Sequence, residues 1–118
     1  MTKSQRSTIF AKTNGHCAYC GTPLTGRWQV DHVIPRWHVD QYRERYPVDF
    51  DVNHPDNLMP SCCSCNNYKS GNPLESFRKS IARQIEILRR DRPTFRLAER
   101  YGLIRCEPKE VVFYFETL

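Results

Sequence analysis

The chain has 118 residues, 39% hydrophobic and 26% charged, with a net charge of +5 and six cysteines. This composition excludes a disordered or fibrous chain, and the length fits one domain with a single modest core. No apolar run approaches the roughly 20 residues of a membrane-spanning helix, and the N-terminus lacks a secretion-signal pattern, so a cytoplasmic location is expected.

The first predicted element is a helix over Ser4 to Thr13, anchored by Ile9 and Phe10 and stopped by Asn14-Gly15, a pair that tolerates the left-handed cap. Cys17 and Cys20 follow. Trp28 to Ile34 alternates and is rich in Trp and Val, which reads as a strand ending at Pro35 and carrying Asp31-His32. Arg36 to Asp56 has no sustained period; its aromatics suggest an ordered functional loop with a short helix over Val39 to Arg45. Leu58-Met59 is expected as the antiparallel partner strand, and a helix follows from Ser64 to Ser70.

Asn72-Pro73-Leu74-Glu75 has the features of a helix start: a capping amide, Pro at the first helical position and Glu three residues after the cap. Leu74, Phe77, Ile81, Ile85 and Leu88 form one apolar stripe, predicting a helix to Arg90 whose opposite face bears Arg78, Lys79, Arg83 and Arg89. A short helix over Pro93 to Tyr101 and an extended segment over Val111 to Phe115 complete the chain.

The two Cys-x2-Cys pairs, Cys17/Cys20 and Cys62/Cys65, carry the first chemical signal. Each such pair makes a tight knuckle that turns two sulfurs toward one ion, and a reducing compartment favours metal over disulfides. A Zn²⁺ held by four thiolates has no open position for water, so its expected role is structural. Cys63 and Cys106 are left as small thiols.

Asp31-His32 between the knuckles, with Asn66 directly after the second, offers the parts of a hydrolytic centre. Phosphodiester hydrolysis needs a base to deprotonate water and a cation to stabilise developing charge. A histidine imidazole can take up a proton from water, so His32 suits the base. Asp31 and Asn66 offer hard oxygen donors, which suit Mg²⁺ or Mn²⁺. The basic balance favours nucleic acid as partner.

Cys17-Ala-Tyr-Cys20, Val30-Asp31-His32-Val33-Ile34-Pro35, Asn57-Leu58 and Cys62-x-x-Cys65-Asn66-x-x-Lys69 together resemble the zinc-braced branch of the HNH endonucleases, over roughly residues 12 to 70. The resemblance implies an α+β fold: a small ββα-metal core braced by the four-cysteine zinc site, with an N-terminal helix. It also implies a single nuclease domain over 1–118, with its core at 12–70 and a helical extension over 72–118.

By the same resemblance, the family's metal ligands match Asp31 and Asn66, its base matches His32, and Asn57 fixes the hairpin loop. Many relatives have His where this chain has Asn66, which favours Mg²⁺ or Mn²⁺ over Ni²⁺ or Zn²⁺. Arg36 and Lys69 are expected either as phosphate contacts or as plain surface cations, and His16, His38 and His54 as surface imidazoles. DNA is the expected substrate. Alternatives are a noncatalytic zinc module that binds nucleic acid, or a subunit active only in a larger restriction, mobile-element or phage packaging complex. Oligomeric state is left open.

Overall fold

The computed structural model describes residues 1–118 as a mixed α+β chain: six α-helices, a two-stranded antiparallel sheet and a four-cysteine cluster able to hold zinc. It divides into two compact units, residues 1–74 with 112–118, and residues 75–111. No helix is long and apolar enough to cross a membrane.

In the larger unit, helix α1 (Lys3–Ala11) begins at Thr2, whose hydroxyl accepts from the Gln5 amide while the Gln5 side chain accepts from the Thr2 amide. This reciprocal cap satisfies two otherwise orphaned donors. Beyond Ala11 the chain turns through Asn14 and Gly15, both at positive φ; a side chain at Gly15 would meet the Phe10 ring at 2.9 Å. Lys12 reaches across to the carbonyls of Pro55 and Leu58, at 2.8 and 2.7 Å, and so ties the end of α1 to the start of the second strand.

Strand β1 (Trp28–His32) pairs with β2 (Leu58–Cys62), with Asp31 opposite Met59 and His32 opposite Leu58. β1 stops two residues short of the predicted end because Val33 and Ile34 are drawn to Asn57 rather than to a ladder partner. Pro60 is tolerated within β2, whose Pro60 carbonyl accepts from Ala18 of the first knuckle.

In the long connection, the predicted Val39 to Arg45 helix is observed earlier, as α2 (Arg36–Gln41) with a 3-10 turn at Arg43–Arg45. Pro35 sets the boundary: its extended backbone launches the turn and its carbonyl accepts from His38 and Val39. Helix α3 (Cys63–Lys69) follows β2 directly and ends at Ser70 in the left-handed conformation.

The C-terminal residues add no strand. Phe113 is buried and meets Tyr19 edge-on at 5.3 Å between ring centres, the amides of Tyr114 and Phe115 donate to the carbonyls of Tyr19 and Ala18, and Tyr114–Thr117 forms a 3-10 turn. The core gathers Ile9, Cys17, Ala18, Tyr19, Val39, Val52, Leu58 and Phe113.

The predicted long helix into residues 75–111 is interrupted. It appears as α4 (Leu74–Ala82) and α5 (Gln84–Asp91), with Arg83 at φ −91°, ψ 0° between them. The Gln84 side-chain amide donates to the Ser80 carbonyl at 2.8 Å, so a side chain enters the backbone ladder where the helix breaks. Helix α6 (Pro93–Arg100) packs on α5, supported by a bidentate Arg89–Glu99 pair at 2.8 Å and by Arg96 donating to the carbonyls of Arg89 and Arg90.

Candidate active site and metal centres

The four sulfurs of Cys17, Cys20, Cys62 and Cys65 lie within 4.8 Å of one another, with Cys20 and Cys62 at 3.9 Å. Zn–S bonds of about 2.3 Å place tetrahedral sulfurs about 3.8 Å apart, so the set fits zinc. Two local devices shape it. Gly21, at φ +77°, lets its amide return to the Cys17 carbonyl, and Cys62 caps α3 through its sulfur, which accepts from the Cys65 amide. A hydrogen bond from Cys65 and backbone donors pull the Cys17 thiol down to about 4, while the shared bond pushes Cys65 up. Crowded thiols thus already favour a thiolate, the form that binds metal.

A cleft of about 490 Å³ lies beside the sheet, lined by Asp31 and His32 at the end of β1, Arg36 at the start of α2, and Asn66 and Asn67 on α3. Two separate chain segments thus bring Asp31, His32 and Asn66 to one cavity. The Asn66 Nδ2 donates to Gln29 Oε1, so the amide is oriented with Oδ1 as the oxygen that no protein group occupies. For His32, Nε2 lies 2.8 Å from Asn53 Oδ1, which as an acceptor selects the tautomer protonated at Nε2 and leaves the Nδ1 lone pair open. The donor chemistry of Asp31 and Asn66, two oxygens in a polar cleft, fits Mg²⁺ or Mn²⁺.

No family model matches the chain. Over 72 residues, 60% of its length, the chain is 29% identical to the CRISPR-associated endonuclease Cas9 of Corynebacterium diphtheriae. It spans only 6% of that relative's length.

Asn57 is buried and is not among the residues that line the cleft. Its Oδ1 accepts from the Ile34 amide at 2.9 Å, and its Nδ2 donates to the carbonyls of Ile34 and Val52 at 3.0 and 2.8 Å. It therefore clamps the exit of β1 to the segment that carries Asn53, the partner of His32.

Lys69 departs from expectation. Its side chain is fully buried and cannot serve as a surface phosphate contact; helical spacing put it on the face of Asn66 and Cys65, but that face packs against β1. Its Nζ lies 3.0 Å from Asp31 Oδ2 and donates to the His32 carbonyl at 2.8 Å. Tyr19, inside the first knuckle, donates its hydroxyl to the same Asp31 oxygen. Burial, then the charge of Asp31, pushes the Tyr19 hydroxyl up and keeps it a donor. Arg36, in contrast, is exposed at the cleft.

Sequence reasoning missed Asn53, Gln29 and Tyr19. Asn53 sits in an aperiodic loop, and Gln29 and Tyr19 are ordinary strand and knuckle residues whose partners are distant in the chain. Of the extra histidines, His38 is half-buried, its Nδ1 2.6 Å from the Tyr46 hydroxyl, and His16 is half-buried against Tyr114, while His54 is exposed.

Proposed function

We propose that this chain is a divalent-metal-dependent endonuclease that hydrolyses DNA phosphodiester bonds. The observation that carries the reading is the convergence, in one cleft, of three side chains that each keep one atom uncommitted: His32 Nδ1, Asn66 Oδ1 and the second carboxylate oxygen of Asp31. The likeness to a segment of an endonuclease supports it.

In this reading Asp31 and Asn66 hold Mg²⁺ or Mn²⁺, which when bound supplies positive charge for the phosphoryl and leaving oxygens. His32 takes the proton of the attacking water at Nδ1, and Asn53 holds the Nε2 proton so that the base does not rotate or change tautomer. Asn57 acts through the loop as a positioning residue. Arg36 meets a phosphate beside the cut. Cys17, Cys20, Cys62 and Cys65 would hold a zinc that ties the first knuckle to the start of α3 and, with four thiolates around it, would take no part in the chemistry.

The match to a small part of a far longer endonuclease favours a second arrangement, in which the same centre reaches full activity only inside a larger nuclease assembly.

Nicking of supercoiled plasmid by wild type and His32→Ala, in EDTA, Mg²⁺, Mn²⁺ and Zn²⁺, tests the proposal. Expected are cleavage in Mg²⁺ and Mn²⁺ but not in EDTA or in Zn²⁺ alone, and a loss of about 10²–10⁴-fold in the variant, at unchanged zinc content and melting temperature. Equal cleavage by the variant, or faster cleavage in Zn²⁺ than in Mg²⁺, overturns it.

A further inference from the structure

The carboxylate assigned to metal already has a cation. Asp31 is 8% exposed, Lys69 is 0% exposed, and their charged atoms lie 3.0 Å apart on the floor beneath the cleft. A lysine in this position is costly to bury and survives there only because two acceptors, Asp31 Oδ2 and the His32 carbonyl, receive it. Tyr19 adds a second hydrogen-bond donor at Asp31 Oδ2 and is itself 3% exposed. The carboxylate is therefore clamped from the knuckle side by Tyr19 and from α3 by Lys69, with both contacts on one oxygen.

The electrostatic consequence follows from counting charges. Asp31 is the only carboxylate lining the cleft, Lys69 neutralises it from below, and Arg36 adds a positive charge at the same cavity. Protein charge around the candidate metal position thus sums to about +1, from one acid and two bases. Most Mg²⁺ sites rely on one or two carboxylates together with substrate phosphates. Here the single carboxylate is already compensated, so a divalent cation entering an empty cleft meets net repulsion. A DNA phosphodiester in the cleft brings the missing negative charge.

We propose that Lys69 is an internal counter-ion that keeps the divalent metal off Asp31 until a DNA phosphate occupies the cleft, so that metal and DNA bind as a coupled pair. The inference rests on the reading of Asp31 as a metal ligand. Coupling of this kind is reciprocal: if DNA tightens metal, metal tightens DNA by the same factor. Lys69 is a positioning and charge-balancing residue here, not one that touches the substrate.

The test uses zinc-loaded full chain in the His32→Ala background, which removes cutting. Affinity for a short fluorescent duplex is measured by anisotropy with and without Mn²⁺, and Mn²⁺ binding to the DNA-free protein by electron paramagnetic resonance. Asp31→Asn is the reference for metal effects that do not pass through the site. Expected are weak Mn²⁺ binding without DNA, and a tightening of DNA binding by Mn²⁺ at least tenfold greater than in the Asp31→Asn reference.

Lys69→Met, and Lys69→Gln, which keeps a donor for the His32 carbonyl, should raise DNA-free Mn²⁺ affinity at least tenfold and shrink the coupling. Tight Mn²⁺ binding by the DNA-free protein, or coupling no larger than in the reference, overturns the proposal even if neither Lys69 variant folds. Folded Lys69 variants with unchanged Mn²⁺ affinity overturn it as well. If wild type nicks plasmid while these results fail, the counter-ion idea falls and the nuclease reading stands; if wild type neither nicks nor binds Mn²⁺ with DNA present, the nuclease reading itself falls.

Discussion

The two compact units of this chain are held together by different physics. Residues 1–74 with 112–118 contain every buried residue except Phe77, together with the four-cysteine cluster and the buried polar set of Tyr19, Asp31, Asn57 and Lys69. Residues 75–111 carry ten Lys and Arg against six Asp and Glu, a net +4 of the chain's +5, with one buried side chain. Their side-chain pairs, such as Arg89 with Glu99 and Arg90 with Asp91, lie mostly at the surface, where ion pairs contribute little. The difference teaches that the precise geometry of the cleft is built where a four-cysteine cluster and satisfied buried polar groups leave few alternatives, and that charge can be stored on helices that need no such precision.

The sharpest way to break the contrast is to remove one sulfur of the four-cysteine cluster. Cys17→Ser is expected to lose zinc and the thermal transition of the larger unit, since structural zinc contributes apparent folding energy on the order of 10 kcal/mol in small domains; metal analysis and calorimetry on one preparation check it. A variant that keeps its zinc and melting temperature would show that the four sulfurs are not the brace.

A smaller break comes from Asn57→Ala. It leaves the Ile34 amide and the carbonyls of Ile34 and Val52 without their side-chain partner, and is expected to cost about 3 kcal/mol in urea unfolding. Plasmid nicking should fall further than stability explains, because the clamped loop carries Asn53. Tyr19→Phe removes one donor to Asp31 while Lys69 stays in place, so about 2 kcal/mol is expected, with zinc content unchanged. Native-state hydrogen exchange then sharpens the comparison without any substitution: amides of α4 to α6 should exchange faster than those of β1 and β2, as few buried contacts imply low local stability. Equal protection in both units would contradict the account.

Much of the fold was legible because its signals are local. Cys-x2-Cys spacing announced the knuckles, alternation at Trp28 to His32 announced β1, and the Asn72-Pro73 start announced a helix within one residue of its observed beginning. Asp31, His32 and Asn66 could be singled out because hard oxygens and an imidazole are the residue types that phosphodiester chemistry requires.

Other features were decided only by packing. Helical spacing put Lys69 on the face of Asn66, but whether that face meets water or β1 depends on how α3 crosses the hairpin, and it meets β1. The break at Arg83 interrupts an apolar stripe that runs on without a flaw, because a side-chain amide can compete for a helix carbonyl without disturbing the hydrophobic period. Val111 to Phe115 reads as a strand by composition, yet it finds knuckle carbonyls rather than a free sheet edge. The sequence by itself singled out the candidate residues for the proposed chemistry, since such candidates follow from residue type and near-neighbour spacing. Tertiary structure alone decided which atoms of those residues stay open, because the partners that occupy the others, Asn53 for His32, Gln29 for Asn66, and Tyr19 and Lys69 for Asp31, come from distant segments of the chain.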